Sequence, residues 1–138
     1  VKFVLDCSVT LAWFFEDEQN PYAISVLDSL AESEAVVPFI WTLEVVNGLL
    51  VAERRGRLTP DKSNQAIEQL KKLGIKIDAL EDGMHSILTL ARDCNLTAYD
   101  ASYLELAKRY RLPLASCDHA LVDAAKLSNI HLVGFGQP

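Results

Sequence analysis

Cysteine is scarce in this chain. Its three cysteines, Cys7, Cys94 and Cys117, are odd in number and lack any C-x-x-C spacing. That excludes a disulfide framework and a zinc knuckle, and it points to a reducing, cytoplasmic setting. Long hydrophobic runs are absent too. No stretch approaches membrane-spanning length and none reads as a cleaved signal peptide. Positive charge is in deficit, with 13 Lys and Arg against 19 Asp and Glu and a net charge of −6. This balance excludes a broad nucleic-acid-coating surface. It leaves room for nucleic acid at one place, because a cluster of acids that holds cations inflates the negative count. The G-x-S-x-G elbow is missing and no His stands at triad spacing, so a serine hydrolase is not indicated. Repeats, low-complexity tracts and linkers are lacking as well, and 138 residues suit a single domain over 1–138.

What is present alternates. Val1–Asp6 reads as a short buried strand, and a helix follows from Val9 to Glu16 with Ser8 able to cap it. Asn20-Pro21 opens a second helix, Asn capping and Pro at the first helical position. Ala35–Pro38 is a brief strand, and Trp41 to Arg55 is a long helical pattern stopped at Gly56. Thr59-Pro60 opens a helix that ends at Gly74, and Ile75–Leu80 alternates like a strand. Asp82 begins a helix through Ala91, and Thr97 caps the next, on which Tyr99, Tyr103, Leu104 and Ala107 share a face. A strand at Leu114, a helix over Ala120–Leu127 and a strand over Ile130–Phe135 complete the chain. This alternation predicts an α/β fold, a three-layer α/β/α sandwich around a central, mostly parallel sheet of about five strands.

Four acids stand out. Asp6 ends the first strand and Asp118 follows the Leu114 strand through Ser116, so both lie where an open parallel sheet forms its ligand crevice. Asp100 sits in the first turn of the Thr97 helix. Glu44 lies among Trp41, Leu43, Val45 and Val46, and Asn47 and Gly48 share its face. Carboxylates are rarely buried unless paired or metal-bound, and four together would repel strongly. A hard divalent cation such as Mg²⁺ relieves that repulsion and can activate water against a phosphate. Each acid also has a plainer local role: strand end for Asp6, first-turn dipole partner for Glu44, capping-box acid for Asp100, turn residue for Asp118. Spacing alone does not choose between these roles.

The motifs together resemble the PIN-domain family, and within it the VapC-type toxin ribonucleases of toxin–antitoxin pairs. The resemblance rests on Asp6-Cys7-Ser8, on the helix Glu44-Val45-Val46-Asn47-Gly48-Leu49, on the helix Leu96–Ala107 (LTAYDASYLELA), and on Ser116-Cys117-Asp118-His119-Ala120-Leu121. It implies a PIN-like sandwich and a metal-dependent endoribonuclease in which Asp6, Glu44, Asp100 and Asp118 hold Mg²⁺ or Mn²⁺. Ser8, Asn47, Thr97 and Ser116 would support that site. Hydrolysis by a metal-activated water would leave a 5′-phosphate and a 3′-hydroxyl. The resemblance further implies a homodimer and a cognate antitoxin, whose Arg or Lys side chains suit an acidic pocket. Two other classes stay open: phosphotransfer through Asp6, against which the D-x-D pattern is broken at Ser8, and a non-catalytic module whose acids recognise a basic partner.

Other features carry plainer expectations. Arg54, Arg55 and Arg57, joined by Lys108, Arg109 and Arg111, read as solvated helix ends or as a grip on RNA phosphates. Cys7 and Cys117 flank proposed ligands, and strand alternation would turn them away as small core residues. Asp123 reads as a helix-surface acid and His119 as an exposed turn residue.

Overall fold

A computed structural model describes residues 1–15, 17, 19–79 and 82–134. The elements run β1 (Lys2–Leu5), α1 (Cys7–Ala12), α2 (Pro21–Ser29), β2 (Glu34–Pro38), α3 (Ile40–Arg54), α4 (Pro60–Lys71), β3 (Lys76–Asp78), α5 (Met84–Cys94), α6 (Ala98–Tyr110), β4 (Leu114–Ala115) and α7 (His119–Leu127). The strands form one parallel sheet in the order β3-β2-β1-β4. Helices flank it, giving the α/β/α sandwich that the alternation predicts.

Among the described residues the sheet has four strands, one fewer than expected. Beyond β4 the chain keeps a single parallel bridge, Leu132 against Leu114, and does not propagate into the strand expected over Ile130–Phe135; Phe135 lies outside the described residues. With β4 only two residues long, an outer neighbour has little ladder to extend. The first helix also differs. It begins at Cys7 rather than Val9 and stops at Ala12, while Glu16 lies outside the described residues. The strand expected to reach Leu80 ends at Asp78, and Leu80 too lies outside the described residues.

Local chemistry accounts for most boundaries. Asn20 accepts a bond from the Ala23 amide at 3.0 Å and Thr59 accepts one from Lys62 at 3.2 Å, each followed by Pro at the first helical position. Thr97 caps α6 through the Asp100 amide at 3.1 Å. Gly56 and Gly74 adopt φ of +71° and +69° past the ends of α3 and α4, a conformation that costs glycine little. Gly48 has a different reason. A Cβ built there would lie 2.5 Å from Leu11 Cδ1, so its missing side chain lets α1 and α3 come close.

The core gathers on α6. Every residue from Ala101 to Ala107 is buried, because this helix packs on β1, β2 and β4 and is covered by α5 and α7. The expected face is met by Tyr103, Leu104 and Ala107 but not by Tyr99, which is 59% exposed in the first turn, before the covered stretch begins. The buried stretch includes one charge, Glu105. Arg109 answers it four residues on, Nε donating to Glu105 Oε2 at 2.9 Å, and its Nη2 donates to Asp78 Oδ2 at 2.7 Å. Tyr110 donates to Asp78 Oδ1 at 3.0 Å. One guanidinium thus ties α6 to the end of β3, and it holds the Asp78 carboxyl below its ordinary range. Arg109, exposed on the last turn of α6, is thus engaged by Glu105 and Asp78. Arg57 pairs with Asp17 and lies over the Phe15 ring.

Glu105 is buried while Arg109 is exposed, so solvent screens part of the pair and removing the guanidinium strands the acid only in part. Arg109→Ala is expected to lower unfolding free energy by about 1–2 kcal/mol, and Arg109→Lys to recover only part of it, since an ammonium cannot reproduce the fork. Urea denaturation at pH 7 checks this; an unchanged midpoint for Arg109→Ala would show that Glu105 needs no countercharge. Because Asp78 is depressed, its share is present above the ordinary carboxylate range and is lost only as acid takes the pH below it.

Candidate metal-acid site

The strand order reverses beside β1: the chain goes from β1 out to β2 and β3, then returns to β4 on the opposite side. Such a switch point leaves a crevice at the carboxyl ends of the two strands. The ladder carries to that end, where the Asp6 amide donates to Ala115 O at 3.0 Å. This sets Asp6 beside Ser116.

Asp6 is the best-defined group here. It is 2% exposed. Its Oδ2 accepts from Ser8 Oγ at 2.6 Å and from Ser116 Oγ at 2.9 Å. Both hydroxyls are themselves fixed by amides: Cys117 N–H donates to Ser8 Oγ at 2.9 Å, and Asp118 N–H to Ser116 Oγ at 3.0 Å. Asp6 Oδ1 takes part in neither bond. Burial pushes the Asp6 carboxyl up to about 6; the two hydroxyls oppose that rise, and the charges of Asp100 and Glu44 add to it. Ser8 therefore does not cap α1, as its position suggests. Asp6 occupies the cap position without a side-chain cap bond, and Ser8 orients the acid.

The other three acids arrive on helices. Asp100 stands in the first turn of α6, half-buried. Its carboxyl is raised by burial and then by the charge of Asp118, while a hydrogen bond from Thr97 opposes the rise. Glu44 stands in the second turn of α3 and accepts from the buried Tyr103 phenol at 2.6 Å. Burial raises it first, Tyr103 opposes, and Asp100 raises it further. Asp118 caps α7, its Oδ1 accepting from the Ala120 and Leu121 amides at 2.9 and 3.2 Å. One carboxylate thus caps a helix through a single oxygen and also raises Asp100 through its charge. Asp100 is the common neighbour: its charge raises Asp6 and Glu44, and the charge of Asp118 raises Asp100 in turn.

Among the described residues, no three acids, imidazoles or thiols converge closely enough to make a ready-made metal cage. The donor set nonetheless suits a hard cation. It is all oxygen, it carries concentrated negative charge, and Mg²⁺ usually binds few carboxylates and keeps several waters. Of the supporting residues, Ser8 and Ser116 hold Asp6, Thr97 caps α6, and Asn47 lies exposed on α3.

Sequence reasoning missed two neighbours. Cys7 is not turned away by strand alternation, because the strand ends at Leu5 and Cys7 already belongs to α1. Its thiol faces Glu44 and Tyr103, and burial with the Asp6 charge pushes it far above its ordinary range, which makes it inert as a nucleophile. Tyr103 reads from spacing as an apolar core residue. Its signal was the hydroxyl: a phenol at the centre of a buried helix needs a polar partner. Asp123 and His119 are exposed, as expected.

A buried acid raised to about 6 destabilises the charged form. The native state binds more protons than the unfolded chain between about pH 4 and 6, so stability from this group falls as pH rises through that window. In chelator at pH 7, Asp6→Asn is expected to raise unfolding free energy by about 1–3 kcal/mol, the gain shrinking as pH drops toward 4. A destabilised Asp6→Asn at pH 7 would contradict the burial assignment. At Asp118, Ala is expected to cost about 1 kcal/mol through the lost cap and Asn much less, both read by thermal denaturation.

Comparison with known proteins agrees with this fold. The chain is similar to Ribonuclease VapC3 of Pyrobaculum aerophilum, 26% identical over 125 residues that cover 89% of this chain and 94% of that protein. Its fold is similar to the crystal structure of PAE2754 from Pyrobaculum aerophilum, with a TM-score of 0.71, 20% identity, and 90% and 84% of the two chains covered. It is also similar to FitAcB from Neisseria gonorrhoeae, with a TM-score of 0.63, 20% identity, and 96% of each chain covered. The PIN domain profile matches residues 3–127, and with nearly the whole chain so matched, this protein belongs to the PIN-domain family.

Proposed function

We propose that this chain is a Mg²⁺- or Mn²⁺-dependent endoribonuclease and the toxin of a toxin–antitoxin pair. The observation that carries the reading is the gathering of Asp6, Glu44, Asp100 and Asp118 from four parts of the chain at the carboxyl end of the sheet, with Asp6 pushed up to about 6 by burial and by its neighbours' charges. A phosphodiester is itself an anion, so this crevice accepts one only together with cations. Membership of the PIN family and similarity to a protein named as a ribonuclease support the same reading.

The residues have distinct parts in it. Asp6 and Asp100 are the principal cation ligands, with Glu44 and Asp118 completing the acidic wall. Ser8 and Ser116 fix one oxygen of Asp6 and leave the other for the ligand. When bound, the cation supplies Lewis acidity to the phosphate and lowers the pKa of water for in-line attack, leaving a 5′-phosphate and a 3′-hydroxyl. Phe39, at the N-cap of α3, and Leu43, Val46 and Leu50 on that helix are exposed. They follow helical spacing and form an apolar stripe that suits a protein partner, whether antitoxin or second copy.

A second reading, an acidic module that recognises a basic partner without cleaving, draws on the lack of a ready-made cage among the described residues. One experiment separates the two. Total RNA is digested with Mn²⁺ or with EDTA, using wild type and Asp100→Asn, and the ends are mapped. Discrete cuts with 5′-phosphates that vanish with EDTA and in the variant are expected. Cleavage that persists in both arms, or no cleavage by the wild type, would sink the nuclease reading.

A further inference from the structure

Tyr103 is fully buried at the middle of α6, yet it carries a hydroxyl. Phe would fill the same space without bringing a polar group into the core, so the oxygen needs its own reason. It has one partner of consequence, Glu44 Oε1, to which it donates at 2.6 Å. The bond joins two helices: Tyr103 lies on α6 three residues beyond Asp100, hence on the same side, and Glu44 comes from α3. Cys7, next in sequence to Asp6, faces the same pair. The phenol thus stands behind the acid cluster rather than in it. A glutamate side chain has three free torsions and, half-exposed, would otherwise sample several rotamers. A short bond to a carboxylate from a buried, immobile ring removes most of that freedom.

We propose that Tyr103 is a positioning residue that locks the Glu44 carboxylate toward Asp100, so that Glu44 presents its second oxygen to the divalent cation. The proposal rests on the cation site of the preceding reading. Tyr103 touches neither cation nor phosphate; it acts through Glu44 alone. Partners that orient a ligand typically govern affinity as strongly as a weak ligand does.

Isothermal titration with Mn²⁺ as the only ligand provides the test, on wild type, Tyr103→Phe, Glu44→Ala and the double variant. Tyr103→Phe is expected to weaken Mn²⁺ binding about tenfold while keeping the wild-type circular dichroism spectrum. In the Glu44→Ala background the same change is expected to have no further effect, since the group it positions is gone. Replacing Tyr103 by 4-aminophenylalanine, which restores an N–H donor on the same ring, is expected to recover most of the affinity. Unchanged binding in Tyr103→Phe overturns the proposal, and so does an equal loss in both backgrounds, because a packing defect would act without Glu44. Should Tyr103→Phe fold poorly, the 4-aminophenylalanine protein carries the test: affinity near wild type that is insensitive to Glu44→Ala overturns it. A wild type that binds no Mn²⁺ overturns the cation reading itself, a different outcome from either.

Discussion

The structure depends on a carboxylate buried at the tip of a central strand. Asp6 lies almost wholly out of solvent, with two serine hydroxyls on one of its oxygens. Two neutral hydrogen bonds do not replace the hydration of a full charge, so its carboxyl stays raised. The surrounding acids worsen that imbalance. A fold organised for stability alone would place an arginine here, as it does at Glu105, where Arg109 supplies the countercharge. The same chain therefore treats two buried acids in opposite ways. One is neutralised by a built-in cation, the other is held only by two neutral hydroxyls and stays raised.

The geometry follows from where the chain reverses. Asp6 and Ser116 meet because β1 and β4 are parallel neighbours whose ladder runs to the last residue. α6 then threads beneath both and brings Asp100 with it. α3 approaches α1 closely because position 48 lacks a side chain, and this brings Glu44 toward Cys7. Each acid is placed by a different piece of backbone economy: a strand end, a helix first turn, a helix face and a helix cap.

Much of this was legible in the residues. Caps at Asn20, Thr59 and Thr97 and the glycines at 56 and 74 act locally, so sequence reveals them directly. The four acids stand out as a set only through family motifs, since strand order, which no local pattern encodes, decides which of them become neighbours. What escaped was decided by tertiary contacts. Ser8 looked like a cap because caps are local, whereas its bond is to a carboxylate that only the crevice keeps dry. Cys7 seemed to point away because a strand was taken to continue, whereas the helix starts one residue after it ends. The fifth strand was overread: alternation marks a segment that can pair, not one whose neighbour is long enough to pair with. Arg109 is exposed at the helix end as its position suggests; only its pairing is hidden from sequence, because Asp78 and Glu105 are far from one another in the chain.

The brevity of the outer strands has a consequence for how this molecule meets others. At one border β3 offers three residues and begins with a lysine; at the other β4 offers two, already occupied in part by the Leu132 bridge. Neither border gives an incoming extended chain enough backbone to template edge-to-edge pairing. Crowding many copies together thus does not invite sheet-to-sheet growth through either border.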